Sequence, residues 1–274
     1  MATFTDKLAY SIKKSNSLLC VGLDSDIDKI PAHLKPAKVP QFEFNKAIID
    51  STHDLVCAYK PNSAFYESRG ATGISELKIT CDYLHKAYPD IPIILDAKRA
   101  DIGNTNEGYI RFAFDYLEAD AITLHSYLGK EALQPFLDRK DKGCIILCRT
   151  SNPSACEFQD LKINGKPLYQ IIAQKVASQW NQNHNCLLVV GATYPNELAE
   201  VRKIVGDMTL LVPGIGAQGG DLEATMRAGL NSRKAGLIIN SSRGIIFVSS
   251  GDDFTDIARS EALKLRNGIN SFRN

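Results

Sequence analysis

Eight short runs of continuously apolar residues, separated by stretches of helical period, constrain this chain more than any other feature. The runs are SLLCVGL (17–23), LVCAYK (55–60), IPIILDA (91–97), AITLH (121–125), CIILCRT (144–150), CLLVVGA (186–192), TLLVPGI (209–215) and GLIINSS (236–242), each ending in polar or glycine residues. A strand with one wet face alternates apolar and polar side chains, whereas a run that stays apolar is covered on both faces, as in parallel sheets. Between the runs the apolar spacing lengthens to that of a helix, as in FEFNKAIIDSTHD (42–54), SELKITCDYLHKAY (75–88), GYIRFAFDYLEA (108–119), 196–204 and 221–227. Spread over eight such units, 274 residues leave about 34 for each, close to the ~30 of a βα repeat. The pattern predicts a (β/α)8 TIM barrel, an α/β fold in which residues 1–274 form a single domain, with a doubly wound sheet as the alternative.

A barrel places its chemistry at the C-terminal ends of the strands. The residues that fall there are Asp24, Lys60, Asp96 with Lys98, His125, Thr150 and Ser151, Thr193, the loop Pro213–Gly220 and the segment Ser241–Gly244. In Asp96-Ala97-Lys98-Arg99-Ala100-Asp101 the first and third residues share a strand face, so a carboxylate and an ammonium point the same way and each favours the other's charged form. Lys60 closes the second strand with the same geometry. The glycines of PGIGAQGG free backbone N–H groups to approach an anion, and Arg243 in SSRG supplies a bidentate cation, which together fit a phosphate held by the loops after strands 7 and 8. The glycine loop is not a dinucleotide fingerprint, because it follows the seventh strand rather than opening a first βα unit. His125 reads equally well as a packed strand-end histidine.

Composition removes several classes of partner. Thirty-two Lys and Arg against thirty-one Asp and Glu leave a net charge of +1, too little for a global field that would draw in nucleic acid or an anionic membrane. The chain shows no apolar stretch of 18 residues and no secretory h-region, so neither membrane spanning nor export is expected. Seven cysteines, mostly inside apolar runs and without a CxxC pair, read as buried thiols of a reducing cytoplasm rather than as disulfides or a zinc site.

Six blocks in order, VGLDSD (21–26), YKPNSAFYE (59–67), LDAKRADIGNT (95–105), TSNPSA (150–155), VPGIGAQGGD (212–221) and INSSRGI (239–245), resemble the orotidine 5′-phosphate decarboxylases of the longer bacterial subgroup, and the likeness runs over nearly the whole chain. The resemblance implies a homodimer of TIM barrels that converts orotidine 5′-phosphate to UMP and carbon dioxide with neither metal nor organic cofactor. It implies an alternating array of Lys60, Asp96, Lys98 and Asp101, with Asp101 reaching into the partner's site and Lys98 protonating C6 of the pyrimidine. It further implies that Asp24 binds a ribose hydroxyl, that Thr105 contributes from the partner, and that Ser151 bonds the pyrimidine edge. Gln218 and Arg243 would hold the phosphate beside Pro213, Gly214, Gly216 and Ser242, with loops 151–160 and 215–220 closing over the substrate. The chain departs from many relatives in carrying glycine, not proline, after Ile102.

Three other readings compete. A sibling group of 3-keto-gulonate 6-phosphate decarboxylases shares DxKxxD but uses Mg²⁺ on an enediolate and needs a carboxylate where this chain has Lys60. A Schiff-base aldolase would need Lys98 neutral, against its flanking carboxylates. A barrel that only binds a phosphorylated ligand would show nucleotide affinity without turnover.

Overall fold

The computed structural model describes residues 3–215 and 220–273. Eight parallel strands form its centre: β1 (Leu19–Leu23), β2 (Ala58–Pro61), β3 (Ile94–Arg99), β4 (Ala121–Leu124), β5 (Gly143–Arg149), β6 (Cys186–Val190), β7 (Leu210–Pro213) and β8 (Leu237–Ser241). Each pairs with its sequence neighbour, β8 pairs with β1, and the circuit closes between β2 and β3 through the parallel bridges Tyr59 to Ile93 and Asn62 to Asp96. This is the expected TIM barrel.

Period-two alternation divides every strand between two cores. Residues such as Val21, Tyr59, Leu95, Ile146 and Ile239 face outward and pack beneath the surrounding helices, while Cys20, Ala58, Ile94, Ile145, Leu187 and Ile238 fill the barrel interior. A helix that the apolar runs do not announce, α1 (Phe4–Ser15), seals the barrel floor by inserting Phe4 and Leu8 into that interior. Thr3 and Asp6 start it with a capping box, each side chain bonding the other's backbone N–H.

The outer helices follow the strands: α2 (Pro40–Thr52), α3 (Gly70–Ala87), α4 (Gly103–Ile110), α5 (Gly129–Leu137), α6 (Leu168–Lys175), α7 (Pro195–Val205), α8 (Leu222–Gly229) and α9 (Phe254–Asn270). The long connection after β5 is not irregular throughout. It carries a short helix, Cys156–Gln159, and a two-stranded ribbon of Lys162–Ile163 against Lys166–Pro167, turned by Asn164 and Gly165, both at positive φ. Six cysteines are buried, but Cys156, on that short helix, is exposed, which corrects the expectation of buried thiols at this position. Among the described residues no helix is long and apolar enough to cross a membrane.

Candidate active site

The inward register that fills the barrel with small apolar side chains turns polar one layer higher. Two residues beyond Ala58 stands Lys60, two beyond Ile94 stands Asp96, and two beyond Ala121 stands Thr123. These side chains form the floor of a cavity of about 560 Å³ at the C-terminal mouth, whose walls come from the ends of seven strands and the loops after β5, β7 and β8. That volume suits a ligand of nucleotide size.

Asp96 is the hub of the floor. Its Oδ2 accepts from Lys60 Nζ at 2.9 Å, and its Oδ1 accepts from Lys98 Nζ at 2.7 Å and from Thr123 Oγ1 at 2.8 Å. Lys60 is only 3% exposed and has a second carboxylate, Asp24, at 3.9 Å. Burial works against the charge on each, yet Coulombic attraction wins: the two ammonium groups hold Asp96 well below the usual carboxylate range, and Asp96 with Asp24 holds Lys60 above the usual lysine value. Cys20, beneath Lys60, lies among apolar neighbours, and burial pushes its thiol up to about 12. Lys60 and Asp96 therefore stay oppositely charged across a wide pH range.

Lys98 differs from Lys60 in being half exposed to the cavity and in its backbone, which takes φ of 48° where β3 and β4 slip register between Leu95 and Arg99. Its ammonium is the one that can reach a ligand above the floor.

The opposite wall suits an anion. Gly214 has φ of 104°, a conformation that side chains rarely adopt, and it turns the chain sharply at the end of β7. Arg243 opens a short helix after β8 and lines the cavity from an exposed position; among the described residues its guanidinium has no carboxylate partner. Gly216 and Gln218, expected to share this role, lie outside the described residues.

A family model described as the orotidine 5′-phosphate decarboxylase / HUMPS family matches residues 17–251. The chain is 50% identical over 271 residues to the orotidine 5′-phosphate decarboxylase of Ralstonia pickettii (strain 12J), covering 99% of both. The chain belongs to the orotidine 5′-phosphate decarboxylase / HUMPS family. Among solved structures, the Leishmania donovani OMP decarboxylase superposes with a TM-score of 0.86 at 39% identity over 99% of each chain. The Leishmania donovani UMP synthase gives 0.89 at 40%, with the whole of this chain covering 57% of that one.

Of the residues singled out from sequence in this family member, Asp24, Lys60, Asp96, Lys98, Ser151, Pro213, Gly214, Ser242 and Arg243 all line the one cavity. Asp101 and Thr105 do not. Asp101 Oδ1 accepts from the N–H of Ile102 at 2.7 Å, its own N–H donates to Asn106 Oδ1 at 2.8 Å, and Thr105 is exposed on the first turn of α4. His125 stays out of the cavity, with Nε2 3.2 Å from the carbonyl of Ala100.

Several cavity residues escaped the sequence reading. Asn62, Thr123 and Asn240 follow from the same two-residue period, and counting two steps from Lys60, His125 and Ser242 would have found them. Arg149, which does not line the cavity, carried no such signal. It is buried at the end of β5, its guanidinium carbon 3.9 Å from the centre of the Tyr194 ring, and it pairs with Asp160 at 3.1 Å. Gln159 Oε1 accepts from the N–H of Thr150 at 2.8 Å, so both ends of segment 150–160 are tied to one strand end.

Proposed function

We propose that this chain decarboxylates orotidine 5′-phosphate to UMP and carbon dioxide in pyrimidine biosynthesis, with Lys60, Asp96, Lys98 and a partner subunit's Asp101 as the working array. The observation that carries the reading is Asp96 bridging Lys60 and Lys98 on the cavity floor. The names of the half-identical relatives favour this activity over the sibling chemistries that share the family model.

Loss of carbon dioxide from C6 leaves an sp² carbanion with little resonance help, so its stabilisation falls to a cation fixed beside that carbon before the bond breaks. Lys98 supplies the cation and then passes a proton from Nζ to C6. Asp96 directs the ammonium, and Lys60 keeps Asp96 ionised. On the rim, Asp24 takes a ribose hydroxyl, Ser151 the pyrimidine edge, and Arg243 the phosphate, with Gln218 and the N–H groups of Gly214, Gly216 and Ser242. Binding the phosphate far from C6 contributes free energy for ordering the loops over the ring.

A Mg²⁺-dependent enediolate mechanism fits the floor poorly, because the ammonium of Lys60 occupies the space between the Asp24 and Asp96 carboxylates that a divalent cation would take. The proposed reaction uses neither metal nor organic cofactor, as the family resemblance implies.

The active form is a homodimer. Asp101 and Thr105 lie outside their own cavity, and next to them the neighbouring loops after β3 and β4 expose Ile102 (61%), Tyr127 (90%) and Leu128 (44%). Such a patch beside an orphaned catalytic carboxylate suits a second copy of the chain. The near-neutral net charge of +1 and the thiols fit a cytoplasmic enzyme.

The deciding experiment follows the loss of orotidine 5′-phosphate absorbance with purified protein, with and without EDTA. Turnover insensitive to the chelator is expected; absence of turnover, or its abolition by EDTA, overturns the proposal.

A further inference from the structure

Thr123 stands on β4, 1% exposed, with its side chain on the cavity floor between Asp96 and the backbone of Lys98. The N–H of Lys98 donates to Thr123 Oγ1 at 2.9 Å. A hydroxyl that accepts there still has one proton to give, and it gives it to Asp96 Oδ1 at 2.8 Å. The same Oδ1 accepts from Lys98 Nζ at 2.7 Å. These three bonds close a ring that ties both ends of Lys98, its amide and its ammonium, to one pair of side chains.

The ring sits where the strand itself offers no support. The ladder between β3 and β4 slips between Leu95 and Arg99, and Lys98 takes φ of 48°, a left-handed conformation that costs free energy for a residue with a Cβ unless its surroundings enforce it. The N–H of Lys98 is turned toward β4, and the partner it finds is a side-chain hydroxyl. Lys98 is also half exposed, with a flexible four-carbon stem, so its ammonium owes its position to the anchored backbone and to Asp96.

We infer that Thr123 is a positioning residue for the decarboxylation, whose single hydroxyl holds the left-handed turn at Lys98 and aims Asp96, thereby fixing where the Lys98 ammonium stands relative to the reacting carbon. The inference rests on the function proposed above and adds to it a residue outside the charged array. Thr123 acts through Lys98 and Asp96, so its effect is expected on the chemical step and not on affinity.

Valine keeps the shape of threonine and removes the hydroxyl. Thr123→Val is expected to lower kcat by roughly 10- to 100-fold, the range for leaving a buried donor and acceptor unpaired, with KM within about twofold. Thr123→Ser, which restores the hydroxyl, is expected to recover most of the loss. If the valine variant does not fold, Thr123→Ala is measured against Thr123→Ser in its place. Unchanged kcat, a loss that falls equally on KM, or no rescue by serine overturns the inference. Wild-type turnover is recorded in the same assay, so an inactive wild type counts against the proposed function instead. A crystal structure of the valine variant, which needs no turnover, gives the independent test: Lys98 is expected to leave its left-handed conformation, and an unmoved Lys98 overturns the inference.

Discussion

Lys60 holds its ammonium 2.9 Å from Oδ2 of Asp96 while being 3% exposed. A buried charge in such a pair cannot be removed alone without leaving its partner uncompensated, at a cost of about 3–5 kcal/mol. Lys60→Met is therefore expected to lower the melting temperature by on the order of 10 °C as well as impair turnover. Lys98→Ala is the contrast. Its half-exposed ammonium leaves Asp96 still bonded to Lys60 and Thr123, so the fold should survive while activity falls by orders of magnitude. Calorimetry and steady-state kinetics on the two variants separate the roles; equal destabilisation by both would contradict the assignment.

The same pair sets a pH dependence whose sign can be worked out. Asp96 in the folded chain titrates well below its unfolded value near 4, so its contribution to stability is full above about pH 4 and is lost as pH falls toward the folded value. Lys60 titrates above its unfolded value near 10.4, so its contribution is full below about pH 10 and is lost as pH rises beyond. The Lys60–Asp96 pair keeps one charge state through the neutral range. The stability deficit of Asp96→Asn against wild type should be constant from about pH 5 to 9 and shrink below pH 4. Chemical denaturation at stepped pH measures it, and a deficit that changes between pH 6 and 8 would show that another group dominates.

How far the site could be read from sequence depends on whether a residue keeps the strand period. Lys60 and Asp96 sit at inward positions on β2 and β3, and Asp24 and Ser242 stand one residue beyond the ends of β1 and β8, where continuing the alternation assigns their direction. Alternation also points Lys98 inward, but nothing local in AKRA announces the register slip or the left-handed backbone found there. The Asn164–Gly165 turn was legible in principle as a hairpin signal, but its two-residue strands are too short to show a period. Helix α1 was missed for a different reason: it seals the barrel floor and belongs to no βα unit, so the repeat that revealed the fold passes over it. Arg149 lies in an apolar run and its partners Asp160 and Tyr194 lie on other segments, a contact that only the folded chain brings together.

That contact predicts a loop phenotype. Arg149 stacks on Tyr194 and pairs with Asp160, while Gln159 bonds Thr150, which anchors the segment proposed to close over the ring. Arg149→Met keeps the apolar stem and removes the anchor. Cleavage by a protease of low specificity within residues 150–167 should accelerate at least several-fold, KM for orotidine 5′-phosphate should rise about tenfold, and saturating substrate should restore most of the protection. Unchanged cleavage would show that the short helix and ribbon hold the segment unaided.

Ser151 is held close to the barrel by the absence of a side chain at Gly191. A Cβ there would lie 2.7 Å from Ser151 Cβ and 2.9 Å from its backbone nitrogen. Backbone cannot swing aside as a side-chain tip can, so Gly191→Ala should displace Ser151 outward. The expected result is a loss of roughly 10-fold or more in kcat/KM with a modest fall in stability, since small displacements of a positioned group are amplified in rate. Ser151→Ala should approach the same loss. An active Gly191→Ala would mean that Ser151 does not work from its present place.

The proposed dimer yields the most demanding prediction. Asp101 lies outside its own cavity, next to the exposed Ile102 and on the loop before the one that exposes Tyr127 and Leu128, and its backbone is pinned by Asn106, whose amide also bonds the carbonyl of Ala132. The carboxylate is thus carried on a hydrogen-bonded corner outside the cavity that Lys98 of the same chain lines. If it serves a second chain, Lys98→Ala and Asp101→Ala homodimers are each inactive, whereas mixing them under subunit exchange builds one site with both residues intact. Random reassortment gives half the dimers one such site, so the mixture should recover about a quarter of wild-type activity per chain. Tyr127→Asp should place a charge in the apolar patch, shift the protein to monomer by light scattering, and remove activity together with the dimer. A monomeric variant with full turnover, or mixed inactive variants that stay inactive despite verified exchange, would return Asp101 to its own chain.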